Sequence, residues 1–165
     1  MAVAAITAIT ATARILKNVI QVEVGKERWV ARPRAAGATS VGRALSALFS
    51  TDYEIFPESD PDHPLAHVSY LAKRDEIVVQ HDEERWQSRA SKFGPMAIPF
   101  GGIEYHLYEK ITGRFAILRG EEVVVQGECR FRSVTIPEYP VEMEAFLGRL
   151  ALGLLIRTLF WELAF

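Results

Sequence analysis

The sequence predicts a mainly β protein: a closed antiparallel β-barrel wrapped round a central hydrophobic helix at its C-terminal end. Three observations lead there. Short strand-like runs recur between residues 18 and 136, separated by Gly, Pro and Asp-rich turns. A proline-bounded segment then follows, helical in length and apolar on every side. Finally, 165 residues with 49% apolar composition and a net charge of −2 suit one domain with a real core. The small net charge excludes a disordered chain and leaves no basic excess for nucleic acid. A single cysteine excludes a disulfide framework and a multi-cysteine zinc site.

The first thirteen residues carry no charge, and the first cations, Arg14 and Lys17, follow the apolar stretch rather than precede it. That order is wrong for a signal peptide, so Met1 to Ala13 is read as a poorly ordered or docked segment, a strand or short helix. Asn18 to Val24 is a strand, because Val19, Ile20, Val22 and Val24 are β-branched. Gly25-Lys26 turns it into a partner, Glu27 to Arg32, which Pro33 ends. After the small residues Ala35 to Thr39, Ser40 caps a short helix with Val41, Leu45, Leu48 and Phe49 on one face.

Strands follow at Asp52–Phe56, Ala66–Ala72, Glu76–Gln80 and Arg85–Ser91. Gly94 to Gly102 reads as a loop for its Gly and Pro content. Ile103–Glu109, Arg114–Leu118, Glu121–Glu128 and Arg130–Ile136 complete about ten strands, the spacing of a sandwich or barrel.

Val141 to Phe165 contains no proline and makes a helix of roughly 37 Å. Between Ala145 and Trp161 its only charges are Arg149 and Arg157. A helix apolar all round must be enclosed by protein or lipid. A membrane span needs ~20 apolar residues, and each central arginine opposes insertion, so enclosure by the chain's own sheet is preferred. A barrel of this size has a lumen that strand side chains alone do not fill. The two arginines lie roughly 80° apart round the helix and, if enclosed, need carboxylate or carbonyl partners, or must emerge at the barrel mouths.

The chain resembles the tubby-like superfamily, which includes the phospholipid scramblases and the LURP-one-related proteins. The residues that carry the likeness are Ile136-Pro137, then Val141, Met143 and Ala145, then Leu155-Ile156 and Phe160-Trp161-Glu162. The resemblance implies a single tubby-like domain over residues 1–165: a barrel of strands round a C-terminal helix, acting as a non-enzymatic binding module for anionic lipid headgroups or membrane surfaces. It implies a cytoplasmic place with peripheral membrane attachment. Arg157 stands where scramblases carry an acidic residue, so their calcium role does not transfer. An open alternative is the START-like helix-grip fold, a carrier or enzyme with an apolar cavity under its helix. A protein-interaction domain is the third reading.

One candidate ligand-binding patch stands out: Lys26, Arg28, Trp29, Arg32, Arg34 and Arg43. Clustered bases attract anionic headgroups, whereas strand alternation would scatter them over two faces. The loop Glu58-Ser59-Asp60-Pro61-Asp62-His63 offers oxygen ligands but lacks the glycine and distal Glu of an EF-hand, so no metal is expected. His63, His67, His81 and His106 show no zinc-protease spacing, and Cys129 has no neighbour that would activate it. No nucleophile elbow, phosphate loop or dinucleotide motif occurs, so no catalytic residue and no cofactor is expected.

Overall fold

The computed structural model describes residues 8–14, 19–34, 51–91 and 94–164. The short helix expected from Ser40, and Arg43 of the basic patch, lie outside these residues. Among them, twelve strands run β1 (Ile9–Arg14), β2 (Val19–Val24), β3 (Glu27–Pro33), β4 (Asp52–Pro57), β5 (Ala66–Leu71), β6 (Glu76–His81), β7 (Glu84–Gln87), β8 (Met96–Phe100), β9 (Ile103–Glu109), β10 (Arg114–Arg119), β11 (Glu122–Arg130) and β12 (Ser133–Glu138). A 3-10 turn at Val141–Met143 leads into one helix, α1, at Glu144–Ala164.

Apart from β7 and β8, strands next to each other in sequence pair antiparallel, and β12 returns to pair with β1, Ile9 opposite Ile136. The meander is therefore a cylinder whose two edges are β7 and β8. One isolated bridge spans the seam: Arg89, two residues past β7, and Ala97 of β8 exchange backbone hydrogen bonds of 2.9 and 2.8 Å. The barrel is thus nearly closed, with that one seam left between its edges.

Strand alternation builds the lumen. In β2, Ile20, Val22 and Val24 point inward while Gln21 and Glu23 face water. Tyr53 and Ile55 do the same in β4, and Phe115 and Ile117 in β10. Many outward positions (Gln21, Glu23, Arg28, Glu54, Gln80, Glu104) are polar, with Val30 and Phe56 among the apolar ones. Among the described residues, no helix is long and apolar enough to cross a membrane.

The helix threads the cylinder. Leu147, Leu150, Ala151, Leu152, Leu154, Leu155 and Ile156 are all buried, so every direction round its axis meets protein. The helix-grip alternative, with a helix lying across an open sheet, is corrected: the sheet curls back on itself round α1. The helix runs nearest β12, β1 and β2 on one side and β5 and β6 on the other. Glycine permits that approach. A methyl group on Gly148 would sit 2.7 Å from Trp29 and Val24, and one on Gly153 would sit 2.5 Å from Ile77. On the far side the gap is filled by rings. Phe146 packs on Trp86 of β7 and Phe100 of β8, centroids 4.8 and 4.9 Å away, and so seals the seam from within.

Where α1 begins, Glu144 sits over the β2–β3 turn. Tyr139 donates to its carboxylate at 2.8 Å, and a Cβ on Gly25 would meet the same carboxylate at 2.8 Å. Gly25 also has φ 61°, so the turn geometry favours glycine there.

One expectation changes and one open choice is decided. The stretch Gly94–Gly102 is not a loop throughout, because Met96–Phe100 forms β8. Pro99 is tolerated there for a geometric reason. The nitrogen of Ala97 donates across the seam to Arg89, so the nitrogen of Pro99, two residues on, faces the same open side, where no strand ladder asks for a donor. The N-terminal segment, read as strand or short helix, contributes strand β1 from Ile9.

Candidate functional site: the helix-exit end

Because consecutive strands are antiparallel neighbours, turns alternate between the two ends of the barrel. Helix α1 enters after β12 and leaves at the opposite end, among the turns Ala72–Asp75, Lys110–Gly113 and Phe131-Arg132.

At this exit the helix is anchored by Arg157. Its Nε donates to Asp75 Oδ1 at 2.7 Å and its Nη2 to Asp75 Oδ2 at 3.2 Å. Its Nη1 donates to both oxygens of Glu109, at 2.8 and 2.9 Å. Tyr70 adds a hydroxyl bond to Asp75 at 2.6 Å, and Trp161 Nε1 donates to the Tyr70 oxygen at 2.8 Å. Burial alone would lower the Arg157 pKa, but the Asp75 and Glu109 carboxylates outweigh it and hold it above the ordinary guanidinium range. Burial would raise Asp75, yet the Arg157 and Tyr70 hydrogen bonds hold it below the usual carboxylate range. Burial, helped by Asp75, pushes Tyr70 up to about 12. The expectation that Arg157 finds carboxylates at a mouth is met.

Arg149 differs from expectation. Its Nε is buried with no hydrogen-bond partner among the described residues, and burial lowers its pKa. Glu84 and Asp82, in and beside the β6–β7 turn, act on it only through their charge. The side chain as a whole is only partly buried, but its Nε stays unsatisfied.

A cleft of about 390 Å³ opens beside Arg157, bounded by Asp75, Glu109, Tyr108, Ser91 and Met96. A second, of about 400 Å³, lies on the outer wall against Tyr108, Lys110, Arg114, Gln126, Glu128 and Thr135. Both adjoin the helix-exit end.

The two ends differ in charge. Lys73, Arg74, Lys110, Arg114, Arg130 and Arg132 surround the helix exit, all exposed. Three carboxylates there are engaged, Asp75 and Glu109 by Arg157 and Glu128 by Arg130 at 3.0 Å, while Glu162 in the last turn of α1 is exposed. The opposite end carries Asp60, Asp62, Asp82, Glu83, Glu121 and Glu142, also exposed, against Lys26, Arg28, Arg85 and Arg119. Apolar side chains also crown the exit. Ile111 is wholly exposed and Phe131 is 59% exposed, with the Arg132 guanidinium 4.5 Å from the Phe131 ring centroid.

The basic patch read from sequence is spread along β3, from one end of the barrel to the other. Trp29 turns inward, is buried, and donates to Glu27 at 3.1 Å; it packs the helix and is corrected to a core residue. Arg28, Arg32 and Arg34 share the outer face, so alternation does not divide them. Their neighbours are not all basic: Arg34 lies 3.5 Å from Glu54, and Arg32 lies over the Phe56 ring at 5.2 Å. Lys26 and Arg28 border a shallow depression with Glu27 and Glu58 at the acidic end.

The other sequence candidates are ordinary. His63 is exposed and bonded to Asp60, which raises its pKa. His67 bonds Asp52, and Ser69 donates to the same carboxylate at 2.9 Å. A serine, a histidine and an aspartate thus meet, but the hydroxyl proton goes to the carboxylate, not to the imidazole that would have to accept it in nucleophilic catalysis. Burial, then the nearby Glu109, pushes the Cys129 thiol up to about 12, which leaves it unreactive at neutral pH. No group of His, Cys, Asp and Glu able to hold a metal occurs among the described residues.

No family profile, curated protein or solved structure matches the chain.

Proposed function

We propose that the chain is a tubby-like, non-enzymatic binding module that docks on anionic membrane surfaces through the helix-exit end of its barrel. The observation that supports this reading best is the segregation of charge: a cationic, apolar-crowned end opposed by an acidic one. In the field of an anionic surface such a molecule orients with the helix exit toward the lipid and the acidic end away. Each exposed base near that surface contributes about 1 kcal/mol, within a Debye length of about 8–10 Å at working salt. The outer cleft beside Lys110 and Arg114 offers two cations, with the Tyr108 and Thr135 hydroxyls, to one headgroup. This relocates the lipid contact from the β3 patch to the turns. The barrel round a C-terminal helix is the architecture expected of a tubby-like domain, and it supports that membership as a proposal.

Flotation with vesicles of phosphatidylcholine and phosphatidylserine tests the reading. Binding is expected at low ionic strength, weakening as salt rises, with little on phosphatidylcholine alone. The pair Lys110→Glu and Arg114→Glu is expected to weaken it by tenfold or more. No flotation of the wild-type protein at low ionic strength refutes the reading.

A further inference from the structure

We propose that Ile111 and Phe131, at the tips of the β9–β10 and β11–β12 turns, penetrate the acyl boundary of the bilayer, so that the barrel wedges into the membrane rather than resting on its headgroups. The proposal rests on the membrane reading above and adds to it a mode of attachment that charge alone does not require.

The fold does not ask for apolar residues at these tips. The Lys110–Gly113 turn closes by a 2.9 Å bond from the Gly113 nitrogen to the Lys110 carbonyl, and its second position favours Pro or small polar residues. Ile111 stands there wholly exposed, covering nothing. Phe131 begins a two-residue turn in which Arg132 takes φ 65°, a conformation usually given to Gly or Asn. Its ring is 59% exposed. Each tip is set in cations: Lys110 precedes Ile111, and Arg130 and Arg132 flank Phe131. Phe131 and the Arg132 guanidinium are stacked at 4.5 Å, an apolar body with a charged cap, as suits the headgroup–acyl boundary.

The chemistry selects the occupant. A second copy of the same end would bring like charges together. A rigid protein partner needs a pocket for each protruding tip, whereas a bilayer deforms round them. A convex apolar point inside a cationic ring therefore fits an anionic lipid interface. The turns flank adjacent strand pairs, so β10 and β11 keep the two tips roughly 10 Å apart at ~4.8 Å per strand.

The test uses the full chain. Ile111→Ser with Phe131→Ser leaves every charge in place, and its fold is verified by an unchanged thermal midpoint. On phosphatidylserine vesicles the pair is expected to lower the partition coefficient by about a hundredfold, roughly tenfold per tip. A nitrobenzoxadiazole dye on Thr112→Cys is expected to shift to the blue on those vesicles and to be quenched by brominated acyl chains, while the same dye on Glu121→Cys, at the acidic end, is not. Both dye variants carry Cys129→Ser, so that each has one thiol. An unchanged partition coefficient, or a dye that stays in water while the wild-type protein still floats, overturns the wedge and leaves headgroup docking standing. Loss of flotation by the wild-type protein itself removes both. Binding to soluble polyglutamate as tight as to vesicles, with the same dependence on the tips, overturns the proposal in favour of an acidic protein partner.

Discussion

Adding one methyl group at Gly153 separates an enclosed helix from an exposed one by the sign of the effect. On a water-facing helix, Gly→Ala stabilises by about 1 kcal/mol, because alanine restricts the unfolded backbone. In this barrel the new Cβ would lie 2.5 Å from Ile77 Cγ2, with Ile77 Cδ1 and Cγ1 at 3.2 and 3.3 Å. Ile77 is itself fully buried on β6 and has no free space to retreat into. Overpacking of this kind costs about 1–3 kcal/mol. The net expectation for Gly153→Ala is a loss of about 1 kcal/mol. In an Ile77→Ala background the obstruction is gone, and the same change at Gly153 should then stabilise by about 1 kcal/mol. Urea unfolding of the four proteins in that cycle, followed by far-UV circular dichroism, gives the numbers. A stabilising Gly153→Ala on the wild-type background, with no coupling to Ile77, would refute the threaded helix.

Other substitutions probe the helix exit and the seam. Asp75→Asn should lower stability at pH 7 by about 1 kcal/mol, discounted for partial exposure of the pair, because Arg157 loses a charged partner. The folded Asp75 pKa lies below its unfolded value, so its contribution is present above about pH 4 and is lost as pH falls through the folded value. The difference between wild type and Asp75→Asn should therefore close in acid, which a pH series of unfolding midpoints checks. Arg149→Met should leave stability unchanged or slightly raised, since a partly buried side chain with a buried, unpartnered Nε gives way to an apolar chain; a loss of more than about 2 kcal/mol in urea unfolding would show a partner that the geometry does not contain. Cys129 should react with a disulfide reagent only on unfolding, its thiol held up to about 12 by burial first and by Glu109 second.

The architecture was readable because the helix declares itself. Leu147 to Ile156 has no polar face, and only enclosure satisfies such a surface. Most strands were readable from alternation, as in Ile20, Val22 and Val24. Two were not. β1 hides in Ile9–Arg14, whose alanines and threonines alternate too weakly to mark a face. β8 hides behind Pro99, whose missing donor argues against a strand until the open seam beside it is known. The break between β11 and β12 was also misplaced. Phe131-Arg132 turns without the glycine or asparagine that marks such turns, so Arg130 was assigned to the following strand.

The site was less legible still. Contiguous bases in sequence suggested a patch on β3, but a strand carries them from one end of the barrel to the other. The cationic rim is assembled from turns far apart in sequence: Lys73-Arg74, Lys110, Arg130 and Arg132. Only the alternation of turns between the two ends brings them together, and that needs the strand order. The same holds for Arg157. Its need for partners follows from its place in an apolar helix, but the identities of Asp75 and Glu109 follow from where β6 begins and β9 ends.

Native-state hydrogen exchange on the backbone of Phe146 to Ile156 tests the enclosed helix most directly. A helix threaded through a sheet curled round it to a single seam cannot expose its amides without opening the barrel. Those amides should exchange only through global unfolding, with the same free energy and denaturant dependence as the amides of β1 and β12. Exchange of the helix at markedly lower free energy, while the strands stay protected, would contradict it: the helix would then be able to leave, and the wall would stand without it.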